Sequence, residues 1–276
     1  MSISAADVNK LRQMTGAGMM DCKKALSEAN GDFEAAVDNL RKKGQKVSAA
    51  RADREANEGC VFLKTNVAGT EGTVIALSSE TDFVAKNEEF MKLGNNILDL
   101  AIANKPTSID ALKALTISGK TIADALIEIV GKIGEKIDVT TYEHIAGDKV
   151  ISYLHSNNKV GVLVALKGVN GKDVVEVGKD VAMQIAAMKP VAVDKDGVDP
   201  TMIEREIEIG KEQARAEGKP EAMLEKIALG KLNKFYKDAT LLNQEFVKDP
   251  SKTIAQLLDG VTKGLTVSAF KRIQIG

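Results

Sequence analysis

The segment Gly72-Thr73-Val74-Ile75-Ala76-Leu77 returns further along the chain as Gly161-Val162-Leu163-Val164-Ala165-Leu166. Each copy leads into a helical stretch, and those stretches close on Ala103-Asn104-Lys105-Pro106 and Ala187-Met188-Lys189-Pro190. A strand-then-helix unit used twice constrains the fold more than any other feature, because two related lobes must each bury one sheet face under one helix. A preceding strand completes each unit: Cys60-Val61-Phe62-Leu63 before a turn at residues 68–72, and Val150-Ile151-Ser152-Tyr153-Leu154 before Ser156-Asn157-Asn158. The pattern predicts an α+β body.

Ahead of that body the period is helical. Ser4 with Asp7 reads as a capping box opening a first helix to about Gln13. After Thr15-Gly16-Ala17-Gly18 a second helix carries Met20, Ala25 and Leu26 and stops at Asn30-Gly31, and Asp32 caps a third. The third sets Phe33, Ala36, Val37 and Leu40 on one face and closes on Arg41, Lys42 and Lys43. Residues 44–58 hold few large apolar side chains and read as a linker or exposed helix that lets the first domain move. Within the body, further helices are expected from about residue 87 to 105, at 111–115 and at 121–133. Residues 199–237 carry charge on both sides of Gly218-Lys219-Pro220, with Ile203, Ile207 and Ala214 facing Leu224, Ile227 and Phe235. They predict a projecting helical hairpin joined by a narrow apolar seam. A helix at 253–258 and a last strand at 265–270 finish the second lobe.

Charge excludes several functions. With 38 Lys+Arg against 39 Asp+Glu, no net field draws the chain onto phosphate backbones or an anionic membrane. Aromatics at 4%, with no Trp, offer no stacking platform for single strands. No apolar stretch approaches the roughly 18 residues of a spanning helix, and the start MSISAADVNKLRQ lacks a signal-peptide layout. Cys22 and Cys60 stand far apart, away from any histidine at ligand spacing, which argues against a disulfide framework or a zinc site. These features predict a cytoplasmic protein with no direct nucleic-acid or membrane partner.

Catalytic chemistry has little to work with, since His144 and His155 are the two histidines and HExxH and GxSxG are absent. Thr15-Gly16-Ala17-Gly18 lacks the GK[ST] ending of a phosphate loop and reads as an interhelix turn. No cofactor or metal is expected, and the enzyme reading rests on Glu80 and Asp82 as carboxylates of one loop. Adjacent helical positions point about 100° apart, so of Met19 and Met20 one is expected in the core and one outward. Phe83 falls on a loop between strand and helix. Two readings stand for it: a satellite core residue folded under the hairpin, or an exposed anchor. Asp82 has the simpler reading of a helix cap.

Taken together, the run Thr15-Gly16-Ala17-Gly18-Met19-Met20-Asp21-Cys22-Lys23-Lys24-Ala25-Leu26 resembles the N-terminal signature of the elongation factor Ts family. Thr81-Asp82-Phe83-Val84-Ala85-Lys86 resembles that family's second signature, and His155, Gly161-Val162-Leu163-Val164 and Ile185-Ala186-Ala187-Met188-Lys189-Pro190 extend the likeness over almost the whole chain. The resemblance implies an N-terminal three-helix ubiquitin-associated-like domain (1–45), a linker (46–58) and a core subdomain (59–140). A second core subdomain (141–198 and 238–276) would then carry an inserted coiled-coil hairpin (199–237). It further implies a nucleotide exchange factor, not an enzyme, whose partner is elongation factor Tu in its GDP-bound and nucleotide-free forms. Met19, Met20, Thr81, Asp82, Phe83, Val84, His155 and Gly161 would be the partner-binding residues, with Phe83 as a wedge that disturbs the magnesium and phosphate site. A homodimer through the second subdomain or the coiled coil is a further expectation. The rival from another class is an interaction scaffold whose helical domain binds a peptide.

Overall fold

The computed structural model describes residues 3–276. Helix α1 (Ala5–Thr15) begins where its capping box directs: the Asp7 amide donates to the Ser4 hydroxyl at 3.1 Å and the Ser4 amide donates to the Asp7 carboxylate at 3.2 Å. Gly16 ends it in the left-handed region at φ 66°, and Gly18 opens α2 (Met19–Glu28), so this glycine pair does the work of an interhelix turn. The Asp32 carboxylate accepts from the amides of Glu34 and Ala35 at the start of α3 (Phe33–Arg51). Val8, Leu11, Cys22, Leu26 and Ala36 form the buried centre of the three helices.

The third helix continues past the expected stop at Lys43 to Arg51, so of the two readings of residues 44–58, linker or exposed helix, the helical one describes 44–51. Its continuation has a partner. Gly44 is buried against α7 (Ile122–Ile133), and a Cβ placed on Gly131 would lie 2.7 Å from the Gly44 Cα. The missing Cβ at Gly131 lets the backbones of α3 and α7 approach closely at Gly44, and Val47 packs one turn further on. Packing therefore sustains a segment whose own composition is too polar to hold a helix in water.

The chain divides into two compact units, one made of residues up to Phe62 with 74–142 and 274–276, the other of 63–73 and 143–273. In the first, β1 (Glu58–Thr65) and β2 (Glu71–Ser79) lead into α4 (Asp82–Ala85) and α5 (Glu88–Asn104). Then come α6 (Ile109–Lys113), the two-residue pair β3 (Thr116–Ile117) and β4 (Lys120–Thr121), α7, and β5 (Ile137–Ala146). The sheet order is β1-β2-β5, with β2 buried along nearly its whole length. Phe62, Ile75, Leu77, Phe90, Ile97 and Leu126 are at the core, and Gly94 of α5 lies so near the Phe62 ring that no side chain fits there.

The second unit repeats that plan. Strands β6 (Lys149–Leu154) and β7 (Val160–Lys167) pair antiparallel from Lys149↔Leu166 to Leu154↔Gly161 and are followed by α8 (Val175–Met188). After α9 (Pro200–Ala216) and α10 (Glu221–Ala239) come β8 (Glu245–Phe246), β9 (Asp249–Thr253), α11 (Ile254–Asp259) and β10 (Thr266–Gln274). The order β10-β7-β6 mirrors the first sheet, with the second strand of the hairpin central in both. Gly178 of α8 receives Ile151 as Gly94 receives Phe62. The helix ends match too, for Lys105 and Lys189 both adopt left-handed φ (46° and 49°) just before a proline.

The seam of the α9–α10 hairpin is made of smaller residues than expected. Gly210, Ala214, Leu224, Ala228 and Leu232 are buried, whereas Ile203, Ile207, Ile227 and Phe235 are half-buried. Arg215 pairs with Glu221 at 2.9 Å across the turn, and Lys231 with Glu217 at 3.4 Å. Strands β3, β4, β5, β8 and β9 go beyond the sequence expectation, and β10 runs four residues past the expected Phe270. No helix among the described residues is long and apolar enough to cross a membrane.

Candidate functional site

Between β2 and α5 the chain makes two helix starts in quick succession. The Thr81 hydroxyl accepts from the Val84 amide at 3.4 Å and caps α4, and Asn87 caps α5 by accepting from Glu89. A helix of one turn has room for one buried face, which Val84 and Ala85 take at 8% and 6% exposure. Phe83 is turned away, 81% exposed. Of the two readings open for this ring, the exposed one describes its placement, and it sits on a short helix instead of a loop. Asp82 is not the cap either: its carboxylate accepts from the Lys86 ammonium at 2.7 Å, which raises the Lys86 pKa above its ordinary value.

The segment is tied down from below and behind. The Cys60 thiol, buried on β1, donates to the Ala85 carbonyl at 3.4 Å, and the Ser79 hydroxyl donates to the Thr81 carbonyl at 2.9 Å. The Thr81 amide and hydroxyl donate to the Glu135 carboxylate at 3.0 and 2.8 Å. In return, the Lys136 amide donates to the Glu80 carboxylate at 2.7 Å. Arg51 and Arg54, beyond the Gly44 crossing on and after α3, reach Glu80 at 3.3 and 3.2 Å. Burial pushes the Glu80 carboxyl up, but the Lys136 amide, Arg54 and Arg51 together outweigh it and hold the pKa below the ordinary glutamate value. A carboxylate held ionised by three donors makes a poor general base near neutrality, which weakens the enzyme reading of this loop.

Met19 and Met20 occupy the first turn of α2 and are both exposed, 54% and 72%, which corrects the expectation that one lies in the core. The inward stripe of α2 is instead Cys22, Ala25 and Leu26, one turn further along. In the second unit, His155 is exposed just after β6, with its Nδ1 2.9 Å from the Tyr153 hydroxyl and its amide donating to the Val160 carbonyl. Gly161 is buried opposite Leu154. A cavity of about 340 Å³ beside them is lined by Tyr153, His155, Met183, Phe246 and Val247. The structure thus gathers Thr81, Asp82, Phe83 and Val84 on one braced turn, with Met19 and Met20 on another helix of the same unit and His155 and Gly161 in the second unit.

Sequence reasoning passed over Arg51, Arg54, Glu135 and Lys136, which brace that turn. Each is an ordinary charged residue in its own stretch, and Glu135 stands 54 positions from Thr81. The one available signal was the helix stop at Gly134, whose φ of 80° ends α7 and delivers Glu135 to the site.

The arrangement is one of contact surfaces, with an apolar ring held out on a pinned turn. The family model described as "Elongation factor TS" matches residues 80–276. The chain is 63% identical over 275 residues to the elongation factor Ts of Cytophaga hutchinsonii, with 99% of each chain covered. It is 55% identical over 276 residues to that of Amoebophilus asiaticus, all of both chains being covered. With the Porphyromonas gingivalis protein the identity is 49% over 278 residues, covering 100% of this chain and 99% of the relative.

Proposed function

The chain belongs to the elongation factor Ts family and is a translation elongation factor, and from that premise we propose that it is the guanine nucleotide exchange factor for elongation factor Tu. Phe83 would act as a wedge, with Thr81, Asp82 and Val84 forming the turn that carries it. Met19, Met20 and His155 would add contacts elsewhere on the partner, with the buried Gly161 paired opposite Leu154 beside His155. The reading puts its work in the cytoplasm, and no bond need be made or broken by this chain.

The physical requirement is linkage. A protein that binds the nucleotide-free GTPase more tightly than the GDP-bound form weakens GDP binding by the same factor. A large apolar ring supplies such a difference if its pocket opens only when the phosphate-binding elements have shifted. Burying a Phe side chain contributes about 1.5–3 kcal/mol, equivalent to a factor of roughly 10 to 100 in relative affinity.

The observation that carries the proposal is the 81% exposure of Phe83 on a turn whose backbone is pinned on both sides. A ring carried on a fixed backbone has less conformational freedom to lose on docking than one on a mobile loop, which favours an anchor. The test is the release of fluorescent GDP from purified elongation factor Tu with catalytic amounts of the wild type and of Phe83→Ala. The expected result is rapid release with the wild type and roughly 10- to 100-fold less acceleration with the variant, whose melting temperature stays that of the wild type. Partner binding without any acceleration by the wild type would favour the scaffold reading instead.

A further inference from the structure

We infer that Glu135 is a positioning residue for Phe83: through a reciprocal clasp with Glu80-Thr81 it fixes the one-turn helix that presents the ring. The inference rests on the exchange-factor reading for its functional consequence, though not for its geometry.

The clasp is a crossed pair. Glu135 accepts the amide of Thr81, the neighbour of Glu80, while Glu80 accepts the amide of Lys136, the neighbour of Glu135. Two chain segments 54 and 56 residues apart are thereby locked in register by charge-assisted bonds to backbone, the stronger class of hydrogen bond. Glu135 also takes the Thr81 hydroxyl at 2.8 Å. That bond commits the hydroxyl hydrogen to Glu135, leaving an oxygen lone pair free to accept the Val84 amide and cap α4. Phe83 lies between Thr81 and Val84, so the orientation of the ring depends on a cap that Glu135 orients.

A helix of four residues cannot hold itself in water, because nucleation costs more than its few hydrogen bonds return. Without the clasp, the Thr81 cap loses its fixed hydroxyl, and the Cys60 and Ser79 bonds with the burial of Val84 and Ala85 remain to hold the turn. The ring then samples many directions, and docking must freeze them. The two strands of support reach the clasp from one place. Helix α3 ends at Arg51, which pairs with Glu80, and α7 ends just before Glu135, the two helices having crossed at Gly44 and Gly131. Lys136 closes the assembly by donating its ammonium to the Ala52 and Arg54 carbonyls at 2.7 and 2.9 Å.

The experiment combines two readouts on the full chain. Fluorescent GDP release is measured for Glu135→Ala, Glu135→Gln, Thr81→Val, Phe83→Ala and the Glu135→Ala/Phe83→Ala double variant, and amide hydrogen exchange is followed at Val84, Ala85 and Asn87. Glu135→Ala is expected to lower the acceleration about tenfold, Glu135→Gln to restore most of it by keeping an acceptor, and the double variant to match Phe83→Ala alone, because Glu135 acts through the ring. Thr81→Val keeps the fold testable should Glu135→Ala not fold, and it is expected to reproduce the loss. Faster exchange of the α4 amides in Glu135→Ala or Thr81→Val supports the clasp even if the wild type fails to release GDP, an outcome that sinks the exchange-factor reading alone. Unchanged amide protection overturns the clasp, and losses that multiply in the double variant overturn its action through Phe83.

Discussion

Replacing Gly131 by Ala should destabilise the first unit, while the same change at Gly44, its partner across the helix crossing, should stabilise it. A Cβ on Gly131 would sit 2.7 Å from the Gly44 Cα, against a favourable carbon–carbon separation of about 3.5–4.0 Å. The obstructing atom is backbone of another helix, so no rotamer change relieves the clash, and α3 and α7 must separate by roughly 1 Å. Overpacking of this kind costs about 1–3 kcal/mol, and the gain in helix propensity from Gly to Ala offsets about 1 kcal/mol of it. A Cβ on Gly44 would meet the Ile127 carbonyl oxygen at 3.5 Å and the Gly131 Cα at 3.7 Å, both ordinary contacts. Gly44→Ala therefore keeps its propensity gain of about 1 kcal/mol, and the two variants differ by about 1–3 kcal/mol. Urea unfolding followed by circular dichroism, with midpoints compared at constant slope, measures the difference. Equal stability, or Gly131→Ala the more stable, would refute the close approach of α3 and α7.

Gly230 lies within α10 with open space where its Cβ would be, so Gly230→Ala should raise the stability of the hairpin by about 0.5–1 kcal/mol, read as a higher urea midpoint. Glu80 has a folded-state pKa below its unfolded value, so its contribution to stability is complete above the unfolded value of about 4.3 and is lost as pH falls through the folded one. Glu80→Gln should therefore flatten the acid limb of the stability profile below about pH 4.3, and a variant with an unaltered acid limb would remove Glu80 from the network.

The local elements were legible because local chemistry makes them. Ser4 with Asp7, Asp32 and the Asn30-Gly31 stop each act within one helical turn, and the structure has all three in the expected roles. The duplication was legible for a similar reason, since a buried central strand needs a continuous apolar run and both β2 and β7 have one. Strand β5 was within reach, as Ile137, Val139 and the run Thr140-Thr141-Tyr142 carry β-forming residues. Met19 and Met20 were not legible in this way, because the helical period alone does not fix where the core-facing stripe begins, and in α2 it begins at Cys22.

By itself, the sequence determined what depends on neighbours a few residues away: caps, turns, apolar periods, and through them the α+β class and its two related lobes. The signature around Phe83 was also visible as a run of residues. Only the tertiary structure decided that α3 runs to Arg51, because the contact that sustains it is Gly131, far along the chain. It alone decided that Phe83 faces outward and that Glu135 and Glu80 pin its turn, since those bonds join segments 54 and 56 residues apart. Such pairings leave no local trace: a charged residue looks the same in sequence whether it is solvated or holds another segment's backbone, and the choice is made when packing brings the two together.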